Sequence, residues 1–115
     1  MQRIPLRAVP NQSLEIVLGG QNCTIRLYTR TVDGTEHLFC DLTVDKELVA
    51  GGVICQDMTP IKLYDYQPFD GQLLFVDMQG DEPPHWRGLD DRWRLVWLAP
   101  GETADDATAA AEGAA

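Results

Sequence analysis

The residues able to do chemistry in this chain are few and poorly spaced for it. Asp90-Asp91 and Asp105-Asp106 are adjacent carboxylates. Neighbours on an extended chain point to opposite faces, so adjacency does not make a general acid/base pair, and solvated charge is the plainer reading. His37 and Cys40 stand three apart in an alternating stretch and should face opposite sides, which suits no Cys–His nucleophile. A small hydrolase would need Asp41, His85 and Asp90 to converge, and sequence spacing does not bring them together. Cys23, Cys40 and Cys55 form no CxxC pair, and with only His37 and His85 beside them they make a poor zinc set. All three lie in apolar strand patterns and read as buried, reduced thiols. No GxSxG, HExxH or phosphate-cradling glycine loop occurs. The expectation is a protein with no enzymatic activity, no cofactor and no metal.

Aromatic and arginine side chains offer a different chemistry, that of contact. Tyr64, Tyr66, Phe69 and Trp86 fall in two proline-containing stretches, 58–70 and 79–91. Each ring taken singly reads as core or loop packing. Together they suggest protein–protein contact, where aromatic anchors and arginines carry much of the binding energy. Arg26, Tyr28 and Arg30 share the outward face of one strand pattern and form a second candidate surface.

The elements that must position these residues are strands. Leu38, Cys40, Leu42 and Val44 alternate with more polar residues, and Leu48, Ala50, Val53 and Cys55 return the pattern after Asp45-Lys46, so 36–57 reads as a central β-hairpin. The pair Gly51-Gly52 within the return strand marks a bulge or bend. Before it, Leu14, Ile16 and Leu18 line one face of 13–18, Gly19-Gly20-Gln21-Asn22 turns the chain, and Cys23, Ile25 and Leu27 line the next strand. Asp33-Gly34 is the strongest short hairpin signal. Pro5 and Pro10 make 2–11 extended rather than helical. A short strand is expected at Ile61–Tyr64. Further strands are expected at Gln72–Met78, apolar on both faces and so covered on both sides, and at Arg92–Leu98. The fold class is therefore all-β, a small sandwich or partly open barrel of about seven short, mostly antiparallel strands. Residues 1–100 form a single β domain. Residues 101–115, low-complexity Ala, Thr and acid without an apolar stripe, are expected to be a disordered tail.

A formal net charge of −9, of which four negative charges fall after residue 100, leaves the body near −5. That disfavours a phosphate backbone or an anionic membrane as a general partner. No run is long enough to cross a bilayer as a helix, and the first ten residues lack the apolar stretch of a signal peptide. A carbohydrate- or other ligand-binding β module, stacking its ligand on Tyr64, Tyr66, Phe69 and Trp86, is the alternative to a protein-contact role.

The segments IPLRAVPNQSLEIVLGGQNCTIRLY (4–28), LFCDLTVDKELVAGGVIC (38–55), LLFVDMQG (73–80) and RGLDDRWRLVWL (87–98) together resemble the baseplate plug proteins of contractile-tailed bacteriophages. The resemblance spans about residues 1–99 and is carried by the combination of segments rather than by any one. It implies a structural virion protein of the tail baseplate, assembled in the host cytoplasm. Such a plug would pack against hub, tube-initiator and wedge proteins near the tail axis, with a homo-oligomer left open. It implies no catalytic residue.

Overall fold

Alternating apolar residues and tight turns build two antiparallel sheets. In a computed structural model, residues 1–61 and 69–112 are described. The chain runs β1 (Gln2–Ile4), β2 (Asn11–Leu18), β3 (Gln21–Val32), β4 (Thr35–Val44), β5 (Glu47–Ile54), β6 (Gln72–Asp77), a 3-10 turn at Trp86–Gly88, β7 (Trp93–Leu98) and helix α1 (Ala104–Glu112). Strands β2-β3-β4-β5 form a four-stranded meander, and β1-β7-β6 form a three-stranded sheet. No barrel closes among the described strands, so the architecture is the sandwich of the two expected forms.

The meander is held in register by its turns. Gly19-Gly20, Asp33-Gly34 and Asp45-Lys46 each have positive φ at both central residues, as a type I′ hairpin requires. The Asp33-Gly34 turn sets Tyr28 opposite Phe39 and Arg26 opposite Asp41. In β5 the expected irregularity is present: Cys40 pairs with Val53 but Leu42 with Ala50, so Gly51 and Gly52 together face Asp41. Gly52 has φ +65°, a conformation costly for any residue with a Cβ.

The main core lies between the sheets. Leu18, Ile25, Leu27, Leu38, Cys40 and Leu42 from the meander meet Ile4, Leu73, Phe75, Trp93, Leu95 and Trp97 from the other sheet. The three cysteines are free and buried. Burial pushes the Cys40 thiol up to about 12 and raises Cys55 and Cys23 as well, so all three act as small apolar residues.

Three features complete the fold. The seventh described strand is β1, which pairs with β7 (Ile4 with Leu95). Of the strand expected at Ile61–Tyr64 only Ile61 is among the described residues; it is buried, and its N–H donates to the Leu73 carbonyl at 2.8 Å. The 79–91 connection is an ordered loop built around the 3-10 turn. Finally, 101–115 is not wholly a disordered tail, because α1 packs on the outer face of the three-stranded sheet. Ala107 and Ala111 are fully buried there against Leu74, Val76, Val96 and Leu98. Two alanines four apart form an apolar stripe narrow enough to escape a search for large residues, yet small side chains let a helix approach a sheet closely. The Asp106 carboxylate accepts from the Thr103 N–H at 2.8 Å, a capping-box contact, and Arg94 donates to the Ala111 carbonyl at 2.6 Å at the other end. The cover implied by the two-faced apolar pattern of β6 is this helix.

Candidate functional site

Asp41, His85 and Asp90 do not assemble. The Asp41 carboxylate accepts from the Gly52 N–H (2.7 Å) and the Tyr28 hydroxyl (3.0 Å) and lies 3.6 Å from Arg26. His85 Nε2 is 3.2 Å from Glu36, and Asp90 pairs with Arg3 at 3.0 Å. Each is committed to a different structural partner. Among the described residues no group of three or more His, Cys, Asp and Glu side chains comes together as a metal site would need.

The Arg26–Tyr28–Arg30 set does come together. Alternation along β3 places all three on the outward face of the meander, and the hairpin register adds Phe39 from β4. The Tyr28 and Phe39 rings stack with centroids 5.9 Å apart. Both guanidinium groups lie over the tyrosine ring, Arg26 at 4.8 Å and Arg30 at 5.1 Å from its centroid. Tyr28 is buried beneath them, whereas Arg26 and Arg30 remain exposed. Burial and the neighbouring Asp41 raise the Tyr28 phenol above its usual range, so it stays a neutral donor to that carboxylate. The arrangement fixes two cations on a rigid sheet at little further entropy cost. Phe39 was not singled out from sequence, and Asp41 was weighed only as a hydrolase residue and not as part of this face; the Asp33-Gly34 turn carries the signal, since a two-residue hairpin fixes who sits opposite whom.

The other candidate rings behave differently. Tyr64 and Tyr66 lie outside the described residues. Phe69 is 2% exposed and belongs to the main core, so it is not an available surface anchor. Trp86 is half-buried against that core, with Arg87 5.1 Å from its ring and His85 stacked at 5.6 Å. Its buried Nε1 makes no hydrogen bond of good geometry among the described residues. It lies near Glu36, whose carboxyl is held below its usual range chiefly by His85 and further by the indole. The loop carrying Trp86 is anchored by a pair that sequence reading missed. Asp77, its side chain fully buried, accepts two 2.8 Å hydrogen bonds from Arg92 and one each from the Gln79 and Glu82 N–H groups. Its signal was an acid ending one strand and an arginine just before its antiparallel neighbour.

The chain thus offers a rigid arginine–aromatic face, a tied-down loop and no converging catalytic groups among the described residues. Comparison with curated proteins gives no match. A family model described as the cyanophage baseplate Pam3 plug gp18 matches residues 1–100, from the first residue through the end of β7. With both sheets inside that match, the chain belongs to this family of phage baseplate plug proteins.

Proposed function

We propose that the protein is a structural subunit of a contractile-tail baseplate, a plug that packs against hub and tube-initiator proteins on the tail axis and performs no catalysis. The family match over residues 1–100 carries this reading. The geometry supports it: Asp41, His85 and Asp90 are each spent on separate structural contacts, while Arg26 and Arg30 are displayed on a stiff sheet. Wedge proteins are further partners of the same kind, and assembly would take place in the host cytoplasm.

A carbohydrate-binding role draws no support from the described residues, because Phe69, one of its four stacking rings, is buried. The test is direct. Purified tails should contain the chain by immunoblot, and cryo-electron microscopy should place its two sheets on the tail axis beside the hub. Purified tails lacking it would end the baseplate reading, and density away from the axis would end the plug geometry.

A further inference from the structure

The two outer faces of the sandwich are treated differently. That of the three-stranded sheet is covered by α1. Among the described residues, the outward face of the meander is covered by no element and gathers four of the five large hydrophobic side chains that stand exposed. Register places them there. Val17 follows the alternation of β2, and Val32 continues the Arg26–Tyr28–Arg30 row. Leu48 pairs with Thr43, and Ile54 pairs with Phe39. Their exposures run from 40% for Ile54 to 66% for Leu48. Isolated exposed apolar residues are ordinary, but concentration on one bare sheet face marks an interaction surface.

Charge says what kind. The chain carries a net charge of −9, yet the middle of this face displays Arg26 and Arg30. Arg26 is 62% exposed and only loosely paired with Asp41, and Arg30 has no ion pair among the described residues. A second copy of the chain would set arginine against arginine on a strongly acidic body. A partner surface bearing carboxylates among apolar residues would instead meet both the guanidinium groups and the flanking aliphatic side chains.

Resting on the baseplate reading above, we propose that the outward face of the four-stranded sheet, centred on Arg26, Tyr28 and Arg30, docks an acidic, partly apolar surface of another baseplate protein. The face is stiffened from below by the Tyr28–Phe39 stack and by Asp41.

The experiment uses tails assembled with the full chain carrying a photo-crosslinking amino acid in place of Leu48 or Ile54, with Thr108 on the exposed side of α1 as the comparison position. The expected adducts from 48 and 54 run to an Asp/Glu-bearing peptide of a different tail protein. In parallel, Arg30→Glu should melt as the wild type does but lower incorporation into tails about tenfold or more, with Arg30→Lys retaining most of it. If tails contain the chain but positions 48 and 54 give no adduct, or give one only to a second copy, the proposal is overturned and the baseplate reading stands. The same holds if Arg30→Glu folds and incorporates normally. If purified tails lack the chain altogether, both fall together.

Discussion

Asp41 shows how one side chain can organise a surface without doing chemistry. It faces the bulge in β5, takes the Gly52 N–H that regular pairing would have used, and holds the Tyr28 hydroxyl from the other side. The glycine pair is therefore not uniform. At Gly52, φ is +65°, so Gly52→Val should cost about 1–3 kcal/mol in urea unfolding whatever space is available. At Gly51 an added Cβ would meet only the end of the flexible Leu48 side chain, at 3.3 Å, and Gly51→Ala should stay within about 0.5 kcal/mol. Equal losses at the two positions would contradict this assignment of the strain. Asp77 gives a second residue-scale prediction. Arg92 first, and the Gln79 and Glu82 N–H groups after it, hold its carboxyl well below the usual carboxylate range. A carboxylate whose folded pKa lies below its unfolded value of about 3.9 stabilises the fold fully above that value and loses the contribution as pH falls further. Asp77→Asn should thus lower stability by about 2 kcal/mol at neutral pH, the scale of hydrogen bonds to a charged group. The gap between wild type and variant should narrow at about pH 3, where protonation begins to remove the wild type's advantage. A gap that stays constant with pH would mean that the charge is not what matters.

At the scale of elements, strands were legible wherever large apolar residues alternate, which accounts for β2 to β7. Their pairing along the meander was legible through its turns. Two elements were not. β1 is three residues long, and its pairing with β7 spans nearly the whole folded body, so no local period announces it. α1 presents only alanine to the sheet, and hydrophobic periodicity is weak when the apolar side is made of methyl groups. The pattern on β6 and β7 did register that something covers Leu74, Val76, Val96 and Leu98, but not what. A nine-residue helix is too short to persist alone in water, so its stability must come from this docking. Ending the chain at Gly101 should therefore cost about 1–2 kcal/mol and lower the melting temperature by roughly 5–10 °C, contrary to the behaviour of a solvated tail. Ala107→Asp, which forces a carboxylate into the same contact, should cost as much as the truncation but no more, because the helix can undock and relieve it. Truncation without effect on the melting temperature would show that the contact contributes nothing to stability.

Across the whole molecule, the surfaces differ in cover: one outer face is capped by α1, the other is covered by no element among the described residues, and the 79–91 loop sets Trp86 and Leu89 against the core. The Arg26–Tyr28–Arg30 face was legible because strand alternation alone predicts it. The aromatic residues of the connecting stretches were not, because whether a loop ring turns inward depends on tertiary packing that no local pattern encodes. Phe69 turned inward to the core, and Trp86 lies between the two possibilities, leaning on the core while carrying Arg87 on its ring. These placements predict a graded response. Phe69→Ala should cost about 3–5 kcal/mol, as for a buried aromatic, leaving a domain of this size marginal or unfolded. Trp86→Ala should cost about 2 kcal/mol, since only part of the ring is buried and its N–H has no well-formed bond to lose. Because Asp77 and Arg92 tie the loop to the sheet independently of the indole, the Trp86→Ala variant should remain folded, with its loss visible in the urea midpoint. An unchanged midpoint would show that the ring contributes nothing to the packing of this loop on the core.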